Sequence, residues 1–188
     1  MDSEHTVLLY HTEVRWLSHG HVLQRIFELC EEIKTFLKDQ KLDLFSSFDT
    51  PEIVQMLAYL TDIFTHSNEL NISLQGSNKN VVIAHEKLAF FKAKIPLWLR
   101  NIEKGNLARF PLLEEVVEEH ESLLPEVATA ICIHLEQLLN AFDGYFSAGN
   151  LARFPSLEEV VEVHESLLPE VATAIRIHFE QLLNAFDG

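Results

Sequence analysis

The chain has 188 residues, is 47% hydrophobic and carries a net charge of −15. That apolar fraction excludes generic disorder, and charges recurring every few residues exclude a membrane-spanning helix. The acidic start "MDSEHTVLLYHTE" does not have the form of a signal peptide.

Charge is distributed unevenly. Residues 1–104 carry 11 Lys/Arg against 14 Asp/Glu, whereas residues 105–188 carry 3 against 15. Only the first part is balanced enough to approach a phosphate backbone, since cation–phosphate neutralisation dominates nucleic-acid affinity. Two cysteines, Cys30 and Cys132, both lie in helical patterns. They give no disulfide framework and suit a reducing compartment, cytosol or nucleus.

In chain order, "TVLLYHTEV" near the start is the one stretch with strand character. Ser18 then predicts an N-cap for a helix to about Gln40, with Val22, Leu23, Ile26, Phe27, Cys30, Ile33 and Leu37 on one face. In "SSFDTPE", Thr50 caps and Pro51 starts a second helix carrying Ile53, Met56, Leu57, Leu60, Ile63 and Phe64. It extends toward Gly76, where "QGSNKN" supplies turn chemistry. A third helix is expected from about Val81 to Glu103, burying Leu88, Phe91, Ile95 and Leu99, with Pro96 expected to kink or split it.

The remainder is a tandem repeat. Residues 105–144 (copy 1) recur at 149–188 (copy 2), and only four of 40 positions differ: Leu112/Ser156, Glu119/Val163, Cys132/Arg176 and Leu135/Phe179. Helical solenoids usually need at least three units, so two near-identical copies point to a recent duplication or an error in gene assembly. Each copy is expected to form a short helix after its Phe-Pro and a longer one after "SLLPE". An arginine at 176 is expensive if buried unpaired, so copy 2 is expected not to pack as copy 1 does. The fold class is all-α, a helical bundle with at most one short strand. Three regions are expected: 1–104, 105–148 and 149–188.

Several groups invite a functional reading. Ten histidines are present, but none has zinc-ligand spacing, and His19 and His21 point to different helix faces. His120/His134 and His164/His178 recur with the repeat. The glutamates of "EEVVEEHE" lack a partner nucleophile or phosphate loop and suit a solvated face. "LEQLL", with Leu135, Leu138 and Leu139, has the LxxLL spacing of helices that dock into protein grooves, and equally the spacing of any core helix. In "HTEVRWLSHG", Trp16 is suited to stack on an unpaired base while Arg15 neutralises phosphate. The plainer alternative is a Trp16 packed ahead of the Ser18 cap, with Arg15 paired to Glu13.

Three blocks, "LLYHTEVRWLSHGHVLQRIFEL", "LAYLTDIFTHSNELNISLQG" and "FKAKIPLWLRNIEKGNLARFPLLEE", resemble consecutive segments of hAT-superfamily transposase-derived proteins over residues 3–148. The resemblance implies the helical insertion of an RNase H-like domain. In that family the insertion precedes the last member of a DDE acid triad. Both catalytic aspartates would then lie upstream of Met1 and the glutamate beyond Gly188, so no catalytic residue is assigned within the chain. The BED-type zinc finger and C-terminal dimerisation segment of relatives have no counterpart. The family's Arg-Trp motif falls on Arg15 and Trp16, which the resemblance associates with handling a transposon end. His19 and His21 replace residues that are often basic, and Pro96 interrupts a helix usually free of proline.

The resulting expectation is a catalytically inactive, transposase-derived helical fragment with residual nucleic-acid contact. The alternative is a protein-interaction module acting through the acidic repeats. Expected partners are DNA through residues 1–104, or proteins including further copies of the chain. No cofactor, metal, membrane or small-molecule substrate is expected, and the expected location is nuclear or cytoplasmic, with the nucleus favoured by the resemblance.

Overall fold

A computed structural model describes residues 17–39, 50–74 and 81–147. They form six helices and, among the described residues, no strand: α1 (Leu17–Glu28), α2 (Cys30–Asp39), α3 (Pro51–Leu74), α4 (Val81–Glu103), α5 (Pro111–Glu119) and α6 (Pro125–Ser147). The strand expected within "TVLLYHTEV", the "QGSNKN" turn and all of copy 2 lie outside the described residues.

The helix expected from Ser18 is divided at Leu29. Its hydrogen bonding nevertheless continues through the break, Leu29 N–H to Arg25 O at 3.0 Å and Ile33 N–H to Leu29 O at 2.9 Å. Ser18 falls inside α1, one residue past its start, rather than ahead of it. Leu23, Ile26 and Cys30 are buried, while Phe27 and Ile33 pack at the margin of the core.

α3 starts as the local chemistry requires. Thr50 Oγ1 accepts the Ile53 N–H at 3.4 Å and Pro51 occupies the first helical position. Every residue from Gln55 to Phe64 is buried, so α3 is enclosed on all sides by the other helices. A helix in that position must satisfy each polar side chain internally.

α4 matches its expected bounds, and Pro96 does not split it. Pro96 is exposed, so its ring lies on the solvent side of α4 rather than in the core. Leu88, Phe91 and Ile95 are buried as expected, but Leu99 is only half-buried and Trp98 takes the core position. The buried run Ala84, Leu88, Phe91, Ile95, Trp98, Ile102 alternates steps of four and three, and Leu99 lies one residue off that seam.

α4 ends in a Schellman motif. Asn106 N–H reaches Asn101 O at 2.8 Å and Gly105 N–H reaches Ile102 O at 2.9 Å, with Gly105 at φ +70°. This turn sends copy 1 back across α3 and α4. α5 packs on α3, and α6 lies antiparallel to α4, where Lys92 pairs with Asp143 and Phe91 meets Phe142 at 5.5 Å. One apolar core runs from Leu23 in α1 to Phe142 in α6, continuous across residue 104.

Candidate functional site

α3 carries Gln55, Tyr59, Asp62 and His66, spaced four, three and four residues apart and therefore on one face. This face meets copy 1 at four successive places. His66 Nε2 is 2.8 Å from Arg109 O, in the turn that enters α5. Asp62 Oδ2 accepts the Leu113 N–H at 3.0 Å. Gln55 receives the Leu124 N–H at 3.0 Å on Oε1 and donates to Ser122 O at 2.9 Å through Nε2. Tyr59 Oη lies 2.6 Å from Nδ1 of His134 on α6.

The physical role of each contact follows from helix ends. Phe110 precedes α5 and offers no side-chain cap, so the first N–H groups of that helix need another acceptor. Asp62 supplies it from a different helix. Gln55 performs the same service for the link into α6, where Pro125 stands at the start of the helix. Glu121, at φ 66°, lets the link turn after α5 in a conformation that non-glycine residues seldom adopt.

Aromatic rings fill the space between these bonds. Phe110 lies 5.3 Å from Tyr59, 5.9 Å from His66 and 5.8 Å from Trp98 between ring centroids. The His66 ring stacks on Trp98 at 4.9 Å. These separations suit attractive edge-to-face and stacked contacts.

Electrostatically the face is adapted to holding a fold. Burial pushes the Asp62 carboxyl up to about 6, against opposing effects of the Leu113 and Leu112 backbone and of His66. Burial, and to a lesser extent Cys132, pushes the Tyr59 phenol well above its ordinary range, so it stays a protonated donor. The hydrogen bond between Tyr59 Oη and His134 Nδ1 is buried on both sides. Tyr59→Phe leaves the fully buried His134 without this bond. A loss of about 1–3 kcal/mol is expected, read as a lower urea midpoint with unchanged slope. A loss below roughly 0.5 kcal/mol would show that the bond contributes little net stability.

The residues singled out in the sequence fall elsewhere. Leu135 and Leu138 are fully buried and Leu139 is partly buried in the same core, so the LxxLL edge of α6 faces inward. Arg15 and Trp16 lie outside the described residues. Cys132 is half-buried, and burial, then Glu103 and Glu136, raises its thiol pKa. Neither Cys30 nor Cys132 is joined in a disulfide. Among the described residues, no group of three His, Cys, Asp or Glu side chains is placed to hold a metal ion, and no helix is long and apolar enough to cross a membrane. Asn68 Oδ1 and Asn71 Nδ2 are buried without a hydrogen-bond partner among the described residues.

Sequence reasoning missed the polar face of α3 altogether. Its signal was present, since Gln55, Tyr59, Asp62 and His66 interrupt the apolar run at helical spacing. Interleaved with Met56, Leu60 and Ile63, however, they match a solvent stripe equally well.

The FAM200/GTF2IRD2 helical domain matches residues 1–103 of the chain. General transcription factor II-I repeat domain-containing protein 2 of Bos taurus is 40% identical over 116 residues, covering 62% of this chain. The chain spans 12% of that relative's length. No solved structure matches the chain.

Proposed function

The chain belongs to the FAM200/GTF2IRD2 helical domain family, and from that membership we propose that it is a catalytically inactive helical module of hAT-transposase descent. The observation that supports this reading is the role of Asp62. Among the described residues it is the carboxylate that burial shifts furthest toward neutrality, the usual mark of an acid/base residue. Its oxygen is engaged in capping α5 from across the core, leaving it no access to a substrate. By the family resemblance, the DDE acids belong to segments flanking such a helical domain.

In this reading residual nucleic-acid contact falls to Arg15 and Trp16, and the protein works in the nucleus, as the transcription-factor name of its relative suggests for that protein. The experiment is a supercoiled-plasmid assay with Mg²⁺ or Mn²⁺, followed by DNA binding at several salt concentrations. No nicking above the protein-free control is expected. Binding is expected to weaken steeply with salt and to fall with Arg15→Ala. Metal-dependent nicking abolished by Asp62→Asn would overturn the proposal.

A second reading, protein docking through the repeats, is favoured by the exposed glutamates Glu115, Glu118, Glu119, Glu121 and Glu126. They gather on α5, the link after it and the first turn of α6, and suit a cationic protein partner better than DNA. Leu135 and Leu138 are engaged in the core, so this docking would use the acidic surface rather than the LxxLL edge. Loss of every captured partner on charge reversal at Glu115, Glu118 and Glu119 would favour it over the first reading.

A further inference from the structure

We propose that the face of α3 and α4 that holds copy 1 is also a binding site for copy 2, so that the chain carries one cradle and two interchangeable occupants.

The cradle recognises copy 1 through backbone groups of Arg109, Leu113, Ser122 and Leu124, and through the His134 ring. The matching positions in copy 2 are Arg153, Leu157, Ser166, Leu168 and His178, residue for residue the same. Phe110, which meets Tyr59, His66 and Trp98, is matched by Phe154. The buried Leu113, Val116, Val127, Ile131, Leu138 and Phe142 are likewise retained in copy 2. Within residues 1–104 the series Gln-Tyr-Asp-His at this spacing occurs only at 55–66, so the chain has a single set of these partners.

The four differences rank the occupants. Glu119, matched by Val163, is exposed and neutral to docking. Leu135 is fully buried, so the larger Phe179 overpacks its site and weakens copy 2 by about 5- to 150-fold. Leu112 is partly buried, and Ser156 removes its apolar contact. Cys132 is half-buried beside Glu103 and Glu136, so Arg176 docked there meets carboxylates rather than an apolar wall. That arrangement removes the reason for expecting the arginine to forbid packing.

Copy 2 must also loop out residues 105–148, and each doubling of a loop reduces closure about threefold. Copy 1 is favoured by on the order of a hundredfold on that account. Copy 2 is therefore a spare occupant, brought into play when copy 1 is damaged or drawn off.

The test is a full-length cycle in a Trp16→Phe background, where fluorescence reports Trp98, 4% exposed with copy 1 in place. Leu113→Asp breaks copy 1 and Leu157→Asp breaks copy 2. Leu157→Asp alone is expected to match the parent. Leu113→Asp is expected to melt at a lower temperature, still in one transition and with blue-shifted Trp98 emission. The double variant is expected to lose both features. Equal losses in Leu113→Asp and in the double variant would overturn the proposal. Rescue that disappears on dilution would place a neighbouring molecule's copy 2 in the cradle and would also overturn it. If Leu113→Asp is insoluble, Phe110→Ala and Phe154→Ala repeat the cycle more gently. The double variant must then melt below Phe110→Ala, and coincidence of the two melts would reject exchange.

Discussion

Phe110→Ala, made together with Phe154→Ala so that copy 2 offers no intact substitute, is expected to reduce stability by about 3–5 kcal/mol. Phe110 is 1% exposed and stands where the link from α4 enters α5, with the Tyr59, His66 and Trp98 rings around it. Truncation removes the apolar surface of the ring and leaves a cavity whose walls belong to different helices. α3 and α4 are each fixed by the rest of the shared core and cannot both close on the space, so little of the lost contact is recovered. Aromatic pairing adds a further contribution beyond area. Urea unfolding followed by circular dichroism would measure the change, and a loss below about 1 kcal/mol would mean the site collapses freely or is not packed as described.

Asp62→Asn is expected to stabilise the protein at neutral pH, by about 2–3 kcal/mol, and to have almost no effect near pH 4. Burial raises the carboxyl from its ordinary 3.8 to about 6 in the folded state. The folded protein therefore binds the extra proton between those values, while the unfolded chain has already lost it. Stability from this group is fully present below the lower value and disappears as pH rises through about 6. Asparagine, like the protonated carboxyl, keeps an oxygen to accept the Leu113 N–H, gives up the Leu112 backbone contact, and removes the charge whose burial is penalised. Asp62→Ala separates the two roles, since it strands the buried Leu113 N–H and should destabilise by about 1–3 kcal/mol at acid pH, where the charge is already absent. Thermal melts of parent and variants from pH 4 to 8 check both statements. A destabilised Asp62→Asn at pH 7.5 would show that the ionised carboxylate is worth more to the α5 terminus than its burial costs.

The positions of α3 to α6 were legible in the sequence because each boundary is chemically local. Thr50 and Pro51 start α3, and the Phe-Pro and Leu-Pro steps start α5 and α6 within copy 1. Val81 to Glu103 was recognisable from its spacing despite Pro96, since the proline falls on the solvent side and leaves the buried seam unbroken. The break at Leu29 was not legible. The apolar pattern continues through it, and so does most of the hydrogen bonding. Leu99 was mistaken for Trp98 because a heptad seam and an ideal 3.6-residue stripe diverge by about one residue over the length of such a helix.

By itself the sequence determined the all-α class, most helix boundaries, the tandem repeat and the family. All of these depend on residues near one another in the chain or on long identical strings. It could not determine which polar residues of α3 are buried, nor that Asp62 caps one helix from another, nor that Leu135 and Leu138 face a core. Those depend on partners such as Tyr59 and His134, which are 75 residues apart and brought together only when copy 1 folds back over α3. A polar side chain at helical spacing suits water and a buried partner equally well, and the tertiary structure chooses between them by supplying or withholding the second hydrogen-bonding group.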